Sequence, residues 1–238
     1  MAEDDFDIEG LAAYLHLDPA QVSRLADRGK LPGRKVSGAW RFSHAAIHHW
    51  LEDRIGLSDD EELAEVEGVL QRSAEAAGEE TAYPSIAALL PVEAIAIPLE
   101  AKTRNSVITS MVEVAAGSGR LWDPQKMAEA VRSREEMHPT ALENGVALMH
   151  PRRPLPSILA EPCLALGVTR GRVPFGGGGV LSDVFFLICS VDDRGHLRTL
   201  ARLSRLIAAP GFLEELRAAD DARSAHELIA ARERELFG

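Results

Sequence analysis

Apolar residues along this chain recur at two spacings, and the switches between them mark its elements. Leu11, Tyr14 and Leu15 share one face at helical spacing, which predicts a helix running from Asp7 to Leu15. Leu17-Asp18-Pro19 ends it. Asp18 is then placed to cap a second helix, Ala20–Arg28, with Pro19 at its first position and Gly29 as its stop. Leu31–Val36 and Ala39–Phe42 read as two short strands about a Ser37-Gly38 turn. Ser43 caps a last helix, His44 to Arg54, with Ile47, Trp50 and Leu51 inward. Two short helices, a tight turn and a small hairpin predict a winged helix-turn-helix head, α+β in class, over residues 5–56.

Residues 57–82 lose this order. Ser58-Asp-Asp-Glu-Glu62 caps a partly helical stretch containing Leu63, Val66 and Leu70, while Gly68 and Gly78 weaken it. Glu65, Glu67, Glu75, Glu79 and Glu80 face only Arg72, which predicts a solvated acidic linker. A homodimer through Leu63, Val66 and Leu70 is the sharper reading, but the stripe is short for a coiled coil.

From residue 83 to 238, short strands alternate with longer helices, the pattern of an α/β domain with a mixed sheet. Ile95–Ile97, Leu164–Leu166 and Val184–Ser190 read as strands, and the last is apolar enough to be central. Lys102–Ala116 and Pro124–Glu136 read as helices. His196–Ala208 is an amphipathic helix with Leu197, Leu200, Leu203 and Ile207 inward, and Phe212–Ala219 and Ala222–Leu236 complete the domain. Asn144-Gly145 turns into a short strand, Val146–Met149, that delivers His150 and is stopped by Pro151. A histidine at a strand end can face a cleft.

Composition narrows the classes. The 238 residues are 46% hydrophobic and 26% charged, enough for packed cores. A net charge of -11 argues against indiscriminate nucleic-acid binding, yet permits a local basic patch. Such a patch exists: Arg24, Arg28, Lys30, Arg34, Lys35 and Arg41 face Asp27 alone. On a helix-turn-helix, Gln21, Ser23 and Arg24 would reach base edges, and Arg28, Arg34, Lys35 and Arg41 would reach phosphates. The structural alternative is a solvated face on a protein-interaction module. The acidic N-terminus lacks signal-peptide character and no apolar run has membrane length, so a cytoplasmic protein off the membrane is expected. Cys163 and Cys189 read as reduced buried thiols. His44 and His48 are one turn apart, but no third ligand follows and His49 points elsewhere, so neither metal nor other cofactor is expected. Gly176–Gly179 lacks the Lys-Ser/Thr ending of a phosphate loop and reads as a hairpin loop.

Two family resemblances add to this. Ala12–Leu15, Val22–Leu25, Gly29–Pro32, Trp40-Arg41 and Trp50-Leu51 make the head similar to excisionase-like and MerR-like domains, which implies DNA as a partner. From about Tyr83 onward the chain resembles the EIIA domain of the fructose/mannitol/nitrogen type. The matching pieces, in family order, are Ile86–Leu90, Ala94–Ile97, Lys102–Leu121, Ala130–Glu135, Gly145–His150, Val184–Ile188, His196–Leu203, Phe212–Leu216 and Ala225–Ile229. The resemblance implies that His150 accepts a phosphoryl group from an HPr- or NPr-type phosphocarrier. It also implies that Arg134 neutralises phosphoryl oxygens and that His196 is a second active-site histidine. His138, in a Met-His-Pro setting, has no family role and is expected at the surface.

The chain departs from that pattern where Met149 replaces a proline before the histidine, and where Pro151-Arg152-Arg153 replaces a small residue after it. The reading adopted is a DNA-binding regulator with a phosphorylated sensor. Its rivals are a phosphocarrier relaying to a sugar-specific partner, and a non-catalytic adaptor.

Overall fold

The computed structural model describes residues 5–15, 18–43, 46–47, 50 and 84–237. The stretch with Leu63, Val66 and Leu70, expected to be partly helical, and the histidines 44, 48 and 49 lie outside these residues. The chain divides into two compact units, Met1–Ala82 and Tyr83–Gly238.

In the first unit, α1 (Ile8–Leu15) starts where the Asp7 carboxylate accepts the Gly10 N–H at 2.7 Å. The Asp18 side chain accepts the Ala20 N–H at 2.8 Å and starts α2 (Pro19–Asp27), with Pro19 where a missing N–H costs nothing. Gly29, at φ 68°, supplies the left-handed residue that ends it. β1 (Arg34–Val36) and β2 (Ala39–Arg41) pair antiparallel with Val36 opposite Ala39. The two residues between them, Ser37 at φ 52° and Gly38 at φ 84°, both have the positive φ that a tight hairpin turn requires. Phe6 and Phe42 exchange backbone hydrogen bonds of 2.8 and 2.9 Å, so the segment before α1 closes the small sheet. Leu11, Val22, Leu31, Phe42 and Ile47 are buried together as a miniature core.

In the second unit, α3 (Ile86–Leu89) precedes β3 (Ile95–Ala96), α4 (Arg104–Gly117) and α5 (Pro124–Met137). Then come β4 (Val146–Met149), β5 (Cys163–Pro174) and β6 (Leu181–Cys189). Three helices finish it: α6 (Asp193–Ala208), α7 (Phe212–Arg217) and α8 (Ala222–Phe237). The sheet order is β3-β5-β6-β4. β6 pairs parallel with β4 and antiparallel with β5, and β3 pairs parallel with β5, so the sheet is mixed. β6 is interior, and residues Val184–Cys189 are all buried, as an unbroken apolar run demands.

β5 is far longer than the Leu164–Leu166 segment that hydrophobicity marks. Its second half includes Arg170-Gly-Arg172, an exposed bulge between two paired positions, Val168 opposite Val184 and Val173 opposite Ser182. Gly176–Gly179 closes that hairpin. The buried Glu233 carboxylate of α8 accepts the N–H groups of Ile86 (2.5 Å) and Ala87 (3.0 Å), which fixes the start of α3.

Candidate functional site

The parallel pairing of β4 and β6, with Met149 opposite Leu187, brings the carboxyl ends of both strands to one edge. His150 follows β4 directly. Ser190 follows β6, and Asp192 then caps α6, accepting the Gly195 N–H at 2.7 Å. His196 sits in the first turn of α6, its N–H bonded to the Asp192 carbonyl at 3.1 Å. Two histidines far apart in sequence thereby meet, with ring centroids 4.7 Å apart and planes inclined by 50°. Both are 2% exposed.

The His150 Nδ1 lies 3.0 Å from the Pro151 carbonyl. A carbonyl only accepts, so Nδ1 carries the proton and, in the neutral ring, Nε2 carries the lone pair. Pro151 fixes its own φ, which removes one of the two torsions that set the direction of that carbonyl. The Nδ1 of His196 lies 3.2 Å from the Ser190 hydroxyl, so both rings are anchored through Nδ1.

Arg134 and Glu135 lie in the last turn of α5 and are buried. Arg134 Nη1 donates to the His138 carbonyl at 2.6 Å, while the His138 side chain is at the surface. The Glu135 carboxylate accepts the Thr140 N–H at 3.1 Å and the Thr140 hydroxyl through a short bond. The Thr140 carbonyl accepts the Leu148 N–H at 3.3 Å, so Glu135 ties the end of α5 to the strand that carries His150. Burial pushes the Glu135 carboxyl above its ordinary range, against the lowering pull of Thr140, Arg134 and Arg104. A cleft of about 440 Å³ opens between α5 (Ala130, Ser133, Met137) and the loop after His150 (Pro151, Arg152, Arg153, Leu155); His150, His196 and Arg134 do not line it. This arrangement offers a nitrogen nucleophile, a second imidazole against it, and guanidinium groups on the adjoining helix and loop.

The helical period hints at the burial of Arg134 and Glu135, since both continue the inward stripe Met127, Ala128, Val131. Nothing local in the sequence marks Ser190.

In the first unit, Gln21 and Arg24 lie exposed on one face of α2, opposite the buried Val22 and Ala26, with the exposed Arg28 as its C-cap and Ser23 half-buried. Arg34 pairs with Asp5 at 3.0 Å. Lys35 pairs with Asp27 at 3.5 Å and lies 4.9 Å over the Trp40 ring. Trp40 Nε1 donates to Asp27 at 3.2 Å, so this single carboxylate ties the end of α2 to the hairpin. Arg41 Nη1 donates to the Trp40 carbonyl at 3.3 Å. These exposed ion pairs are worth about 0–1 kcal/mol each, which leaves the cations exchangeable toward a stronger anion. Among the described residues no group of three His, Cys, Asp or Glu is placed to hold a metal ion, and no helix is long and apolar enough to cross a membrane.

Residues 88–232, more than half of the chain, match the model of the phosphoenolpyruvate-dependent sugar phosphotransferase system, EIIA 2. The chain belongs to the EIIA 2 family. Residues 6–55 match a helix-turn-helix domain, so a head of that type precedes the EIIA domain. A nitrogen regulatory protein of Bradyrhizobium diazoefficiens is 31% identical over 150 residues, 59% of this chain and 95% of that protein. The fructose-specific EIIABC component of Bacillus subtilis is 27% identical over 147 residues, 60% of this chain but only 23% of that protein. The crystal structure of nitrogen regulatory protein IIA-Ntr from Neisseria meningitidis shares the fold, at a TM-score of 0.53 and 20% identity, covering 60% of this chain and 98% of that one. The mixed-sheet EIIA architecture expected from the sequence is thus the one observed.

Proposed function

We propose that this chain is a cytoplasmic DNA-binding regulator whose EIIA domain, residues 83–238, takes a phosphoryl group on His150 from an HPr- or NPr-type phosphocarrier. The observation that carries this reading is the buried contact of the His150 and His196 rings, with the His150 Nδ1 proton committed to a carbonyl. That commitment leaves Nε2 as the attacking atom. In transfer, the phosphorus–nitrogen bond to the carrier breaks, the carrier nitrogen keeps the electron pair, and a bond to Nε2 forms. His196 and Arg134 would stabilise the phosphoryl oxygens, positioning and electrostatics being most of such catalysis.

The head, residues 5–56, would set the face of α2 bearing Gln21, Arg24 and Arg28 into a major groove, with Ser23 beside it and Arg34, Lys35 and Arg41 along phosphates. Phosphate on His150 adds up to two negative charges and would alter DNA affinity, self-association or partner choice. The test is to select bound sequences from a random DNA pool with the full chain, then compare affinity with and without phosphate. No enriched sequence, or equal affinity and equal self-association in both states, overturns the regulator.

A second reading is a carrier that passes the phosphate onward, favoured by the likeness to a fructose-specific EIIABC component. Label moving from His150 to a separate sugar-specific protein would select it.

A further inference from the structure

Ser190 terminates the central strand and is 3% exposed, yet its hydroxyl is spent on one partner across the site, the His196 Nδ1 at 3.2 Å. The backbone sets where that ring stands: the Asp192 cap fixes the first turn of α6, and His196 lies in it. We propose that Ser190 is a positioning residue that holds His196 in the tautomer bearing its proton on Nε2, turned to receive the phosphoryl group on His150. This rests on the phosphoacceptor reading above.

A neutral imidazole has one N–H, and it aids an incoming phosphoryl group only if that N–H faces the phosphoryl oxygens. The two nitrogens lie on different edges of the ring, so engaging Nδ1 with Ser190 leaves Nε2 to the other side. A hydroxyl donating to Nδ1 makes Nδ1 the acceptor and puts the proton on Nε2. A hydroxyl can also turn and accept, so the same contact survives if the ring becomes doubly protonated against bound phosphate. The backbone carbonyl that anchors His150 only accepts, so it admits an Nδ1–H and never an Nδ1 lone pair. With the Ser190 hydroxyl donating, the pair is asymmetric: the carbonyl of Pro151 makes one ring an Nε2 nucleophile, and Ser190 leaves the other an Nε2 donor.

The test is the side-chain nitrogen spectrum of the full chain, selectively labelled at histidine, with His196 assigned by its substitution. Wild type is expected to show His196 as the Nε2–H tautomer and His150 as the Nδ1–H tautomer. Ser190→Ala should abolish the preference at His196 and slow phosphoryl uptake about tenfold, the worth of one neutral hydrogen bond. The carrier concentration for half-maximal rate should not move, and Ser190→Thr should restore the tautomer. An Nδ1–H tautomer at His196 in wild type overturns the proposal without any variant, as does a Ser190→Ala protein with unchanged spectrum and rate. Should wild type show the expected tautomers but take no phosphoryl group from any carrier, the phosphoacceptor reading fails while the placement of the His196 proton by Ser190 stands.

Discussion

His150 and His196 meet with ring centroids 4.7 Å apart, and each is anchored through Nδ1, one by a carbonyl and the other by a hydroxyl. The contact follows from topology: parallel β4 and β6 end at the same edge, and α6 begins immediately after β6. If His196 supplies a hydrogen bond to the transferring group, His196→Ala should slow phosphorylation by about 10²–10³, the usual cost of losing one transition-state donor. Label should still reach His150 at long times, because the nucleophile remains. A rate equal to wild type in a quench-flow assay would remove His196 from the site.

Glu135 makes stability depend on pH in a defined direction. Burial raises its pKa in the folded state above the ordinary value of 4.5, so the folded chain binds a proton that the unfolded chain has lost. Between 4.5 and the raised folded value the native state holds more protons, and stability therefore falls as pH rises through that window. Glu135→Gln should flatten this part of the stability–pH curve. Chemical denaturation of both proteins at a series of pH values checks it, and an unchanged slope would contradict the assignment.

Gly145 stands at φ 89° in the turn before β4, and a methyl group there would approach Arg217 Nη2 at 2.9 Å and Asp183 Oδ1 at 3.0 Å. Those two side chains form the 2.9 Å ion pair that braces the turn. Gly145→Ala is expected to destabilise the EIIA domain by about 1–3 kcal/mol through backbone strain and crowding. Calorimetry should show a lower melting transition for that domain; a shift below about 1 °C would show that the turn adapts freely.

In the head, Arg24 on α2 and Arg28 at its C-cap are expected to behave differently although both are exposed. Arg28→Ala should weaken DNA binding uniformly across sequences and reduce the salt slope by about 1, as loss of one phosphate contact does. Arg24→Ala should cost about 1–3 kcal/mol of discrimination at a particular base position. Titrations against the selected site and a scrambled one at several salt concentrations separate the two. Equal, sequence-independent losses would place Arg24 on the backbone as well.

Much of this architecture is written locally. The Asp18-Pro19 cap, the Ser37-Gly38 turn and the inward stripe of Leu197, Leu200, Leu203 and Ile207 each follow from neighbours in sequence, and the structure has them where the pattern puts them. The second half of β5 is hidden because Arg170, Gly171 and Arg172 carry no strand pattern; they bulge between Val168 and Val173, whose pairing with β6 carries the strand past them. The charged run Arg134-Glu135-Glu136 looks like a solvated helix end, yet the first two are buried where α5 meets the β4 hairpin. The ends of parallel strands meet only in the folded sheet, which hides the meeting of His150 with His196; the Ser190 contact depends on the turn from β6 into α6.

The central claim is that His150 Nε2 carries the phosphate. It is tested most directly by labelling from phosphoenolpyruvate through purified general phosphotransferase components, comparing the full-length wild type with His150→Ala. The expected result is an acid-labile, base-stable label on the wild type alone, with phosphorus–nitrogen coupling placing it on Nε2. A label that persists in His150→Ala, one that sits on Nδ1, or a wild type unlabelled by both sugar-type and nitrogen-type carriers would contradict the account.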